Sequence, residues 1–210
     1  MKPSLYDAGL GRARDLEPAR PPRLVLSCAP DGDGAASVRH SKTLAVLRAA
    51  LADWGFAVET GAAAPDVVFG ERAEGGALWL RPGRGPDVSL SELRARGFAE
   101  EDLALWSLRV PYREDAAVDW ARLADARSER ARLSDAARGL VRSHASAAPN
   151  AAGLAGYRQR LRRALMRDLD TGEALATLWD ALRPGALSPG SQLGALRLAD
   201  EALALGLPLR

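Results

Sequence analysis

The segment Arg23-Leu-Val-Leu-Ser-Cys28 is the strongest single constraint on how this chain can fold. It is a short apolar run rich in branched side chains, the pattern of a strand buried on both faces of a parallel sheet. Such a strand needs a crossover to its neighbour, and the next residues supply one. A turn-rich stretch, Ala29-Pro-Asp-Gly-Asp-Gly34, leads into a helical pattern from Ser37 to Trp54. Leu44, Leu47, Leu51 and Trp54 recur there at spacings of three and four and give one apolar face. Gly55 is placed to cap that helix, and Phe56-Ala-Val58 resumes an extended pattern. Strand, glycine loop, helix and strand in this order predict a βαβ unit.

Two further short strands are expected at Pro65-Asp-Val-Val-Phe69 and Ala77-Leu-Trp-Leu80, separated by Gly- and Pro-rich loops such as Arg81-Pro-Gly-Arg-Gly-Pro86. Ser89 can cap a short helix over Leu90 to Arg96, and Glu100 to Val110 reads as a second helix stopped by Pro111. The character changes beyond Asp119. Trp120 to Arg142, Ala152 to Leu165, Gly172 to Leu182 and Gln192 to Leu205 carry helical periodicity, broken at Ser143 to Asn150 and at Pro184 to Gly190. Between the second and third of these, Asp168-Leu-Asp-Thr171 is expected to form a helix–helix corner, with Asp170 or Thr171 as the cap. The fold class expected is α/β: a reduced Rossmann-like parallel sheet over residues 1–115, followed by an all-helical domain over residues 116–210.

Composition excludes several classes. Apolar residues form 47% of the chain, enough for a core. No apolar run is long enough to cross a bilayer, and Met1 to Pro18 holds charges of both signs with no apolar stretch of a signal peptide. Cys28 is the one cysteine, so no internal disulfide forms. These features lead us to expect a cytoplasmic protein with no membrane partner. A net charge of +2 does not mark the whole molecule as a polyanion binder, and no DNA binding is expected.

Several segments resemble the cysteinyl-tRNA synthetases and the related cysteine ligase of mycothiol biosynthesis, in family order. Ser4-Leu-Tyr-Asp7 with Glu17-Pro18 is similar to the family's opening stretch, and Cys28-Ala29-Pro30 stands where the family has Cys-Gly-Pro. Val46 to Val58 resembles the helix after the first nucleotide motif, and Pro65 to Gly70 the strand leading to the zinc site. Val88-Ser-Leu-Ser-Glu-Leu93, Leu105-Trp-Ser-Leu108, Pro111-Tyr-Arg113 and Val118-Asp-Trp120 look like the segment after the second nucleotide motif. Asp168-Leu-Asp-Thr-Gly-Glu-Ala-Leu175 is similar to the family's Asp-Asp-Leu-Asn/Asp-Thr-Pro-Glu-Ala-Leu, and Ala202 to Leu207 to its closing helix.

The resemblance implies a ligase that joins cysteine to ATP, yet the residues this chemistry needs are missing. In place of the His-Ile-Gly-His motif, whose imidazoles stabilise charge on the phosphates, stands Asp31-Gly-Asp-Gly-Ala-Ala-Ser-Val38. It holds no histidine, and His40 lies further along the helix. Gly32, Gly34 and Ser37 at that helix start can still offer backbone and hydroxyl groups to one phosphate. The alignment puts Trp79-Leu-Arg-Pro-Gly83 at the Lys-Met-Ser-Lys-Ser position, leaving Arg81 and Arg84 as the cations there. An exposed turn and a plain loop are the favoured readings of these two segments. Of the zinc ligands, only Cys28 has a counterpart, with Glu71 and Glu74 nearby; zinc needs about four ligands, so no metal site is expected. No cofactor is expected, ATP being the alternative. His144 reads as a surface residue.

One electrostatic feature remains. Arg158, Arg160, Arg162, Arg163 and Arg167 crowd one helix, with Arg158 and Arg162 on one face and Arg160, Arg163 and Arg167 on another. Arg127, Arg130, Arg138 and Arg142 lie on the preceding helix. These arginines can contact phosphates, or form a solvated face paired to Glu129, Asp135 and Asp168. The reading drawn is a synthetase-like chain without the ATP motifs or zinc site, acting as a binding or regulatory module whose partner is tRNA, a nucleotide or another protein chain. The alternative is a small ATP-dependent amino-acid ligase completed by variant residues or a partner chain. The first reading predicts that cysteine-dependent ATP–pyrophosphate exchange stays at the level of a no-protein control; exchange well above it would overturn the reading.

Overall fold

Strands and helices alternate as the apolar run at 23–28 requires. The computed structural model describes residues 2–16, 23–28, 34–61, 65–70, 77–144 and 149–209. In chain order the elements are β1 (Ser4–Asp7), β2 (Arg12–Asp15), β3 (Arg23–Cys28), α1 (Ala35–Asp53), β4 (Ala57–Thr60), β5 (Val67–Phe69) and β6 (Leu78–Leu80). Then come α2 (Leu90–Ala95), α3 (Glu100–Ser107), α4 (Trp120–His144), α5 (Ala151–Leu165), α6 (Thr171–Leu182) and α7 (Pro189–Leu203). A four-stranded sheet runs in the order β4-β3-β5-β6, and every pairing in it is parallel. The expected βαβ unit is β3-α1-β4, with Leu24 opposite Val58. This is the α/β Rossmann-like arrangement followed by a helical region. Among the described residues, no helix is long and apolar enough to cross a membrane.

Leu24, Leu26, Val67, Phe69, Leu78 and Leu80 bury the sheet against Val46, Leu47 and Leu51 of α1. Leu161, Leu165, Leu175, Leu178 and Leu196 of the later helices belong to the same continuous core. A second cluster joins Leu93, Leu103 and Trp106 to Leu123 and Ala126 of α4. Local caps follow the sequence signals. Ser89 accepts from the Glu92 N–H at 3.1 Å, and Asp170 accepts from the Glu173 N–H at 2.9 Å. Asp170 is therefore the cap of α6; the Thr171 hydroxyl donates instead to the Leu108 carbonyl. Helix α3 stops at Ser107, earlier than the pattern to Val110 suggests, because the chain turns over Leu108–Arg109 before reaching Pro111.

One element went unread in the sequence. β1 and β2 form an antiparallel hairpin, with Ser4 opposite Asp15. It is tied at both ends. The Ser4 N–H donates to Met166 O, the Asp168 N–H donates to Ser4 O, and the Ala8 N–H donates to Trp79 O next to β6. Its strands are four residues each, too short for alternation to stand out from a loop.

The C-terminal segment closes on α1. Leu205, Leu207 and Leu209 pack on the core, and the Lys42 ammonium donates to the Ala204 carbonyl. Burial pulls the Lys42 amine down to about 8, opposed by the charge of Asp200. Its folded pKa thus lies below its unfolded value of 10.5, so the unfolded chain holds more protons between these values. Stability should rise with pH from about 8, by up to about 3 kcal/mol if Lys42 acted alone. Burial raises the phenols of Tyr112 and Tyr157, which turns the trend downward above about pH 10 as unfolded tyrosines ionise. Denaturant unfolding between pH 7 and 10 checks this; Lys42→Met should flatten the rise and be the more stable protein near pH 7.

Candidate functional site

In an open parallel sheet the ligand crevice lies beyond the C-terminal ends of the strands, where the strand order reverses. Here that point is between β3 and β5, in front of the first turn of α1. Residues 81–89, which follow β6, lie directly on that turn. The Ala35 N–H, one of the donors an anion at this helix start would use, donates to Val88 O at 3.2 Å. The approach is close: a Cβ on Gly85 would sit 2.5 Å from the Ala36 Cα, and one on Gly83 would sit 2.0 Å from Glu114 O. Only glycine fits at these two positions.

The loop is held by Arg39 of α1, which is 3% exposed. Its guanidinium donates to the carbonyls of Arg84 at 2.9 Å, Pro111 at 2.9 Å and Glu114 at 2.7 Å, and more loosely to Gly83 and Tyr112. Burial lowers the Arg39 pKa, and the nearby charges of Asp115 and Glu114 resist that shift. The Gly83 N–H donates to Tyr112 O and the Ala116 N–H to Arg84 O, so the loop and residues 111–116 form one layer over α1.

Among the nucleotide candidates, Gly34 (φ 107°) and Ser37 sit at the start of α1, beneath this layer's edge. Gly32 lies outside the described residues. Arg84 is exposed and held by Asp115, at 2.8 Å through its backbone N–H and 3.6 Å through its side chain. Arg81 points to a different place, an open cleft of about 430 Å³ that it lines with Tyr6, Ala8, Arg113 and Glu114. His40 stays within α1, its ring edge-on to Phe69 at 4.5 Å.

Beside that cleft, Asp168 gathers several partners. It accepts from the Tyr6 N–H and the Tyr112 hydroxyl, both at 2.8 Å, and pairs with Arg113 at 3.1 Å. The Arg113 guanidinium in turn lies 4.7 Å above the Tyr6 ring. Burial and the Asp168 charge raise the Tyr112 pKa, so this phenol is a donor at any ordinary pH. Asp168 and Leu169 both have φ near +54°, a left-handed conformation that side chains of this kind rarely adopt. Neither Arg39 nor the Asp168 hub was named as a site from sequence. Arg39 did leave a trace: it interrupts the buried face formed by Ala35, Val46, Leu47 and Ala50.

The side chain of Cys28, with Glu71, Glu74 and the His144 side chain, lies outside the described residues. Among those that are described, no group of His, Cys, Asp and Glu comes together as a metal site.

The five arginines of α5 and its extension divide. Arg158 and Arg162 both reach Asp53 at the end of α1, at 3.2 Å each. Arg160, Arg163 and Arg167 are exposed, and among the described residues no ion pair holds them. The partners expected for the arginine helices are mostly otherwise engaged. Glu129 takes Arg109 and the Trp179 indole N–H, and Asp168 takes Arg113; Asp135 alone pairs within α4, with Arg138 at 2.8 Å. Glu129 is buried against the Trp179 indole of α6.

The chain is 31% identical over 140 residues to the protein named cysteine--tRNA ligase in each of two strains of Treponema pallidum. That match covers 59% of this chain and 27% of the relatives' length, so the chain spans about a quarter of them. No family model matches. The relationship is a distant one to the aminoacyl-tRNA synthetases.

The Arg39 geometry yields a stability test. Arg39→Met keeps most of the volume but removes the group that joins the two segments to α1. Tyr112 O, Arg84 O and Pro111 O keep their backbone donors, Glu114 O loses its charged one, and the cost should be about 1–3 kcal/mol. Arg39→Lys keeps the charge with fewer donors in a different geometry and should recover a minor part. Urea unfolding of the three proteins decides; an Arg39→Met variant as stable as the parent would remove Arg39 from this role.

Proposed function

We propose that this synthetase-related chain works as a non-catalytic RNA-binding module, and that Arg160, Arg163 and Arg167 form its phosphate-contacting face. The observation that carries the reading is the division of the arginines. Two are neutralised by Asp53, while three stay exposed without a carboxylate among the described residues. Free guanidinia on one face suit a polyanion, since each phosphate contact releases counterions. The start of α1 supports the same preference for RNA over ATP, because the chain's own Val88 carbonyl takes a donor that a phosphate would need. Backbone contacts carry no base readout, so preference for one tRNA sequence is not part of this reading.

A second reading has one observation in its favour. Arg81 and Arg113 line a common cleft with Tyr6, and cations around a concave site are what a small ATP-dependent ligase would retain. The pyrophosphate-exchange assay separates it from the first.

A mobility-shift titration with unfractionated tRNA tests the RNA reading. Three phosphate contacts give a slope of log K against log salt of about −2 to −3, or roughly thirtyfold weaker binding between about 50 and 200 mM salt. Arg160→Glu with Arg163→Glu should abolish the shift, since reversal adds repulsion to the lost attraction. No shift at micromolar protein and low salt, or a shift indifferent to the double reversal, would refute it.

A further inference from the structure

A second cavity, away from the sheet's C-terminal edge, lies where the end of α1 meets α5 and α7. Its volume is about 290 Å³, near the lower end of the range for small-molecule sites. Three features give it a chemical character. Its walls are apolar: Leu161 and Leu165 from α5 and Leu198 from α7 face the small residues of α1, Ala49 and Ala52 among them. Trp54 lines it too, and the indole N–H of Trp54 is fully buried with no acceptor among the described residues. No atom of water size reaches that nitrogen from the cavity, so Trp54 adds ring surface to the wall rather than a donor.

The third feature is the rim. Arg158 reaches Asp53 Oδ1 through Nη2, and Arg162 reaches Oδ2 through Nε. Each guanidinium has five N–H donors and spends few of them on this carboxylate. Two cations share Asp53 and face Glu201 across the rim, so the four charges balance and what the mouth offers is unspent guanidinium N–H donors. The helix end beside it offers little opposing charge, because the Trp54, Gly55 and Phe56 N–H groups already cap the carbonyls of Ala50, Ala52 and Leu51. Glu201, on the α7 side of the rim, disfavours a second negative charge on a ligand.

We propose that this cavity binds an apolar monocarboxylate: one acid group at the Arg158–Arg162 rim, and an aromatic or branched body against Leu161, Leu165 and Leu198. The acid joins Asp53 between the two guanidinia rather than displacing it. The site is separate from the RNA face, so it stands whether or not the RNA reading does.

Isothermal titration of the full chain with naphthalene-1-carboxylate and with 4-methylpentanoate tests it, against 1-naphthylmethylammonium as the cationic counterpart. One saturable site for at least one carboxylate at or below about 1 mM is expected, with no binding of the ammonium. Arg158→Gln, an exposed change that should leave the melting temperature unchanged, should weaken the carboxylate by about tenfold. Asp53→Asn removes the competing anion and should tighten it, a gain that a purely structural role for these residues would not produce. Arg160→Glu with Arg163→Glu should leave it unchanged, which separates this cavity from the RNA face. No saturable binding of either carboxylate, equal binding of the ammonium, or an Asp53→Asn variant that binds no more tightly would each overturn the proposal.

Discussion

The buried Arg39 guanidinium organises the part of the molecule where a nucleotide-binding fold keeps its ligand. Among the described residues no carboxylate pairs with it; its partners are backbone carbonyls from two separate segments, residues 83–84 and 111–114. Burying a charge this way is costly unless its donors are well used, and a planar five-donor fork is suited to several carbonyls at once. Lysine, with three donors at one point, has no equivalent arrangement. The two segments lack helix or strand of their own and pair with each other only through a few backbone bonds, Gly83 N–H to Tyr112 O and Ala116 N–H to Arg84 O. Arg39 adds a second donor to several of these carbonyls and fixes both segments against α1. Gly83 and Gly85 then become obligatory, because the segments approach too closely for a side chain.

That arrangement bears on what the distant kinship to the synthetases can mean. A fold can persist while the site it carries changes, since chemistry depends on particular groups rather than on the sheet. Strand order and the βαβ unit place a crevice in front of α1, and the chain fills part of that crevice with itself. The hairpin and the Asp168 corner work in the same direction on the other side. Asp168 adopts a left-handed backbone and is repaid by the Tyr6 N–H, the Tyr112 hydroxyl and Arg113. It thereby connects the first strand, the 111–113 segment and the α5–α6 corner.

Much of this fold was legible in the sequence, and the reasons differ by element. The β3-α1-β4 unit was readable because a doubly buried strand and a one-sided helix leave different periodicities. The caps at Ser89 and Asp170 were readable because the chemistry of a helix start is local. The hairpin was not, because β1 and β2 are held by residues more than 150 positions away, at Met166 and Asp168. Arg39 was overlooked for the same reason. Its place on the buried face of α1 is a faint local trace, but the partners that explain its burial lie 44 to 75 residues downstream. Of the candidate site, sequence named Gly34, Ser37, Arg81 and Arg84, but not that Val88 would meet the Ala35 N–H, nor that Arg81 would face away from the start of α1.

The arginines of α5 show how far a residue count carries and where geometry takes over. At 3.6 residues per turn, Arg158 and Arg162 lie about 40° apart around the helix axis, and Arg160 and Arg163 about 60° apart. The centres of the two pairs are then separated by roughly 150°, nearly opposite sides of one helix. A helix packed on a core cannot present both sides to the same solvent. One pair meets Asp53 at the end of α1. The other pair, with Arg167 beyond the helix end, meets nothing of the kind among the described residues. Identical side chains within six positions therefore have two electrostatic roles. One set meets Asp53 and borders a cavity; the other keeps its charge available to a polyanion. The division follows from the phase of the helix on its neighbours, which depends on Leu161 and Leu165 facing the core.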